Sequence, residues 1–151
     1  MIDDFEETQV QISYNSRELP AHFQLGPDAS PEERRHMARV VARFIGPSTP
    51  MDDCFNKTVQ VMGTFVHPVS LTDMNTGEVV PKLRTVWLLT DGTCLSSVSE
   101  VTRQFTEMVL QPFFSGGKLG LFDFPASVEI RKQKTRAGRT TFAFELQEES
   151  K

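Results

Sequence analysis

Near Phe55 the apolar residues change from helical to alternating spacing. That change restricts the chain to a β-rich body preceded by a helical segment. Before it, Met37, Val40, Val41 and Phe44 fall at i, i+3, i+4 and i+7 and make one stripe of a helix. Ser30 is placed to cap that helix, Pro31 suits its first turn, and Glu33 completes a capping box. Gly46 is placed to end it, and Pro47 and Pro50 prevent its continuation. The first 30 residues hold one weak alternation, Thr8-Val10-Ile12-Tyr14, then a stretch with Pro and Gly. They read as a poorly packed arm with one short strand.

After Phe55, Val59, Val61, Gly63 and Phe65 alternate with Gln60, Met62 and Thr64, a strand ending near Pro68. Ser70 to Pro81 is polar, with its turn at Asn75-Thr76-Gly77. Lys82 to Thr90 is a second strand, and Asp91-Gly92 turns it into a third from Thr93 to Val98. Ser99 can cap a second helix whose buried face would be Val101, Phe105, Met108 and Val109, with Pro112 after its last turn. Phe113 to Gly120 reads as a loop. Ser127–Lys134 and Thr140–Gln147 form a closing hairpin, with Val128, Ile130, Phe142, Phe144 and Leu146 on the core side.

Three strands, a helix and two strands is the element order of an OB-fold, a partly open five-stranded barrel that binds single strands on strands 2–3 and flanking loops. The expected class is therefore mainly β, a β-barrel with helices. Residues 1–53 supply an acidic arm, helix and linker, and residues 54–151 the nucleic-acid-binding domain.

The core also carries Pro68-Val69-Ser70-Leu71-Thr72-Asp73, Thr76-Gly77-Glu78-Val79-Val80, Arg84-Thr85-Val86, Asp91-Gly92 and Val98-Ser99. Together with the basic turn from Lys132 to Arg139, this resembles small single-stranded DNA-binding proteins of bacteriophages and related mobile elements. The resemblance spans roughly residues 50–147. It implies an OB-type barrel, a role in replication or recombination, and binding without a cofactor. The N-terminal arm and its Arg-rich helix have no counterpart in it, and Trp87 stands where an aliphatic residue is expected.

Charge is distributed unevenly. The chain is net −4, yet the acids Asp3, Asp4, Glu6, Glu7, Glu18 and Asp28 face only Arg17 before Ser30. From Lys118 to Arg139, six cations face only Asp123 and Glu129. A polyanion senses the field within a screening length of roughly 8–10 Å, so the local excess counts for more than the total. Strand binding needs a basic groove for phosphates and flat side chains for unstacked bases. The candidate cations are Arg131, Lys132, Lys134, Arg136 and Arg139 on the closing hairpin, Lys82 and Arg84 on the second strand, and Lys118 in the glycine loop. The candidate stacking groups are Trp87, for which a core position is an equal alternative, and Phe113 and Phe114, one to stack and one to plug the barrel. Arg34, Arg35, Arg39 and Arg43 on the first helix are a solvated face or a second contact with phosphate or with the acidic arm.

Catalytic templates are absent. Gly116-Gly117-Lys118 lacks the Ser/Thr and the first Gly of a phosphate loop. His22, His36 and His67 lack metal-ligand spacing with Cys54 or Cys94, which read as free thiols. The expectation is a non-enzyme with no cofactor and no metal. Its partners would be single-stranded DNA and replication or recombination proteins, with a homo-oligomer or RNA binding left open. The acidic start lacks signal-peptide features, which points to the cytosol, and the resemblance implies that this is the cytoplasm of a bacterial host.

Overall fold

The computed structural model describes residues 10–14, 19–20, 23–114 and 120–147. They build one mainly antiparallel sheet, curled into a half-barrel around a helical plug. In chain order the elements are β1 (Val10–Tyr14), α1 (Pro31–Ile45), β2 (Thr49–Pro50), a 3-10 turn (Met51–Cys54), β3 (Lys57–Asp73), β4 (Val79–Leu89) and β5 (Cys94–Ser97). A helical segment follows, made of α2 (Glu100–Phe105), a π turn (Thr106–Leu110) and α3 (Gln111–Phe114). Strands β6 (Leu121–Lys134) and β7 (Thr140–Leu146) complete it. The sheet order is β2-β5-β4-β3-β6-β7, with β1 paired to the far half of β3.

The capping box forms as the sequence predicts. Ser30 N–H donates to Glu33 Oε1 at 3.0 Å, and Glu33 N–H donates to Ser30 Oγ at 3.1 Å. Met37, Val40 and Phe44 are buried against the outer face of the sheet, where they meet Phe65, Val86 and Leu88. Phe23 joins them, fully buried and edge-on to Phe44 and Phe65. The segment before α1 is therefore not uniformly loose, and one ring anchors it.

Strand β3 departs from simple alternation. Its register runs from Val61↔Leu89 to Gly63↔Leu88, so Met62 is an extra residue on one strand. Such a bulge reverses the side-chain parity. Val61 packs inside the curl with Trp87, Leu95, Val128 and Ile130, whereas Phe65 lies in the outer cluster under α1. The single face expected for Val61 and Phe65 is thus divided between two cores. A Cβ at Gly63 would lie 2.9 Å from Leu121 Cδ2 and 3.1 Å from Phe44 Cζ, so the bulge is where α1 and β6 close on the backbone.

β3 also continues past Pro68. That residue sits between the stretch laddered to β6, which ends at Gly63, and the stretch laddered to β1, which begins at Val69. A residue without an N–H is tolerated at such a break.

The second helical segment buries a different face from the one its apolar residues suggest. Thr102, Thr106 and Leu110 are buried, while Val101 is 38% and Met108 71% exposed. Thr106 Oγ accepts the Trp87 indole N–H at 2.8 Å and donates to Thr102 O at 2.8 Å. Both polar ends are satisfied, so threonine is admitted to the core. Ser99 makes no side-chain cap bond. Pro112 lies inside α3 rather than beyond the helix, because the preceding turn is widened: Gln111 N–H reaches Thr106 O.

Candidate nucleic-acid interface

The closing hairpin forms across the expected turn, with Lys132 opposite Phe142 and Lys134 opposite Thr140. Its turn is held by Thr135 N–H to Arg139 O at 2.8 Å and Gly138 N–H to Thr135 O at 2.9 Å. Gly138 takes φ +78°, a conformation that favours glycine. Lys132, Lys134, Arg136 and Arg139 are all exposed on this one projection. Arg131 is different. It bonds Glu129 at 2.8 Å and Glu145 at 2.8 Å, two carboxylates that stand directly opposite each other in the β6–β7 ladder. Its charge is consumed locally, which removes it from the expected phosphate contacts.

Two neighbours of the hairpin escaped the sequence reading. Lys132 Nζ sits 5.0 Å over the ring of Phe55, within cation–π reach. Phe55 is half-buried and stacks on Phe142 at 5.1 Å, and the rings continue through Phe144 at 5.5 Å to Phe105 at 5.0 Å. Lys57, exposed, pairs with Ile130 at the hairpin's base. Asn56 between them has φ +66° and donates its N–H to Ile130 O at 2.6 Å, which turns the chain so that Phe55 and Lys57 flank β6. An Asn ahead of a strand, a residue type that tolerates this backbone, was the available signal.

The cations and rings expected on β4 do not join this group. Trp87 is fully buried. Arg84 is 4% exposed, beneath the C-terminal end of α1. It donates to Ser48 Oγ at 2.8 Å, to Phe44 O at 3.4 Å and to His67 Nε2 at 3.2 Å. Burial, with the Arg84 charge beside it, lowers the His67 pKa to about 4, so the ring is neutral and can accept that bond. Neither Trp87 nor Arg84 is presented to a ligand, because β4 from residue 84 to 89 is covered on both faces, by α1 outside and by the helical plug inside.

Lys82 borders a cavity of about 380 Å³ with Pro68, Leu83 and Arg103. Its ladder partner Val69 is roughly 40 Å of strand contour from Lys57. Phe113 is 75% exposed, while Phe114 packs edge-on to Phe124 at 5.3 Å and tilted on Phe122 at 5.8 Å. Both lie by the start of β6, at the opposite end from the hairpin, and Lys118 is outside the described residues.

Both cysteines are buried free thiols whose pKa is raised, chiefly by desolvation. Among the described residues no group of three or more His, Cys, Asp and Glu is arranged to hold a metal ion. Among those residues no helix is long and apolar enough to cross a membrane. Comparison with protein-family models, curated protein sequences and solved structures finds no match for this chain.

Proposed function

We propose that the protein binds single-stranded DNA on an OB-type barrel, largely without sequence preference, and protects exposed strands during replication or recombination. One observation carries the reading: Lys132, Lys134, Arg136 and Arg139 stand exposed on a single hairpin, beside the half-buried ring of Phe55. Lys and Arg there would displace condensed counterions, Phe113 offers an open face for an unstacked base, and Phe55 would offer one where Lys132 leaves its ring for a phosphate. Binding needs no catalytic group and no cofactor. The topology supports the same reading. Taking β3 to β7 as five consecutive strands, the first lies between the second and fourth, and a helical segment connects the third to the fourth. An OB-type barrel left open between its third and fifth strands would have this order. A bacteriophage or mobile-element origin, and action in the bacterial cytoplasm, follow from the resemblance of the core sequence to such proteins.

The test is fluorescence anisotropy with labelled single-stranded DNA, duplex DNA and RNA of equal length at several salt concentrations. Preference for single strands is expected, with log affinity falling by about 0.7 per phosphate in log salt, a slope of roughly −3 for four contacts. A flat salt response, or equal binding of duplex, overturns it. Tighter binding of RNA would transfer the same chemistry to an RNA substrate.

The covered faces of β4 favour a second reading, a barrel of a replication assembly whose basic hairpin docks an acidic protein partner. In that case the hairpin cations would matter for protein association, and the oligonucleotides would not bind.

A further inference from the structure

Beside its buried face, α1 carries a second apolar row. Ala38, Val41, Ala42 and Ile45 fall at i, i+3, i+4 and i+7, and with Leu19 and Leu25 they line an open groove of about 460 Å³. The two alanines leave room there for bulkier side chains from another segment, and Ile45 is 48% exposed. A line of arginines runs alongside. Residues three and four apart are neighbours on a helix, so Arg35, Arg39 and Arg43 follow one another with about 6 Å of rise between them. Arg35 adjoins Ala38, and Arg39 adjoins Ala42. All three arginines are exposed, and among the described residues no carboxylate pairs with any of them. Arg103 and Arg131 differ in this respect, the first bonding Glu100 and Glu107 and the second Glu129 and Glu145. Like charges four apart oppose helix formation, so α1 gains from an anionic neighbour supplied by another segment.

An apolar groove flanked by unpaired cations selects a ligand that carries apolar side chains and carboxylates close together. A phosphate backbone would satisfy the arginines and leave the groove unfilled. The chain contains a segment of the required kind, Ile2-Asp3-Asp4-Phe5-Glu6-Glu7, which lies outside the described residues and has two bulky apolar side chains, four carboxylates and no cation. We infer that this acidic segment docks on α1 of its own chain, with its apolar side chains in the groove and its carboxylates on the arginine row. Its point of attachment allows the contact. The segment leads into β1, whose Val10 pairs with Asp73. From Asp73 to His67 is about 20 Å of strand, and His67 shares the Arg84 guanidinium with the Phe44 carbonyl at the end of α1. The chain from Ile2 to Val10 spans up to about 28 Å. Ile2 can therefore enter the groove at Ile45, with Asp3 and Asp4 beside Arg43 and Arg39. Tethering makes the association intramolecular, which raises the effective concentration of the segment at the groove. The row is then neutralised by the chain itself, and the cations of the closing hairpin are left to meet a polyanion.

The inference is independent of DNA binding, and nuclear magnetic resonance on the full chain tests it. The native protein should show ordered amide relaxation for residues 2–7 and nuclear Overhauser contacts from the Ile2 side chain to Ala42 and Ile45. Reversing the row with Arg39→Glu and Arg43→Glu together should abolish both, and adding Asp3→Lys and Asp4→Lys to that variant should restore them. Circular dichroism confirms that the variants keep the native fold. Ile2→Ser leaves α1 untouched and should also release the segment, so it decides the question if the charge-reversed chain does not fold. Contacts absent from the native protein, contacts indifferent to the folded variants, or contacts made only between differently labelled copies would each overturn it. So would a free segment beside Arg39 and Arg43 signals that move when a single-stranded oligonucleotide is added, which would give the row to phosphate.

Discussion

The indole N–H of Trp87 donates to Thr106 Oγ at 2.8 Å, and neither residue has any exposed surface. The bond joins β4 to the π turn and turns the chain's single tryptophan into a structural group. Thr106→Val keeps the shape but leaves the indole N–H buried without an acceptor. It should lower stability by about 1–3 kcal/mol in urea denaturation. In the native protein, saturation with single-stranded DNA should leave Trp emission unchanged. Strong quenching would mean that the indole is reached by bases.

His67 makes stability depend on pH. Its folded pKa is near 4 against an ordinary 6.5, through burial first and the Arg84 charge second. The unfolded chain therefore binds the proton more readily. This contribution is complete above about pH 6.5 and is lost as pH falls towards 4. The expected loss over that window is about 3 kcal/mol. His67→Gln should flatten that part of the profile in denaturation at successive pH values, and identical slopes for the two proteins would exclude the effect.

The hairpin cations divide into two kinds. Lys134→Ala and Arg136→Ala should each weaken oligonucleotide binding and reduce the salt slope by about 0.7, with no change in melting temperature. Arg131→Ala should leave the slope unchanged. It should instead lower stability by about 0.2–1 kcal/mol, since Glu129 and Glu145 would then oppose each other unscreened. Anisotropy titrations and thermal melts of the three variants separate these effects.

Gly120 has φ +77°, and a Cβ there would run into the Phe23 ring. Gly120→Ala combines a left-handed backbone cost of about 1–2 kcal/mol with overpacking of about 1–3 kcal/mol. It should therefore lower unfolding free energy by about 2–5 kcal/mol and loosen the segment that Phe23 anchors. Native-like stability in the alanine variant would show that the ring can move aside at little cost.

Features set by neighbouring residues could be read before any coordinates. The capping box at Ser30, the hairpin with Gly138, the order of the elements and the exposed cations of the closing turn all depend on short-range spacing. The bulge at Met62 could not be read, because a single inserted residue preserves local alternation while reversing which core the next residues enter. The buried face of the second helical segment was equally hidden. Thr102 and Thr106 are polar by composition and became core only when Trp87 and a helix carbonyl took up the hydroxyl of Thr106.

Residue order alone pointed to a mainly β body from Phe55 onward, with a helix between the third and fourth strands of that body, and a basic hairpin at its close. Periodicity, turn chemistry and charge are local properties of a chain. Only the tertiary structure decided which cations and rings remain available: Arg84 under α1, Trp87 against the helical plug, Arg131 between two glutamates, and Phe55 beside Lys132. Burial and charge compensation depend on residues far away in sequence, and those meet only when the sheet curls.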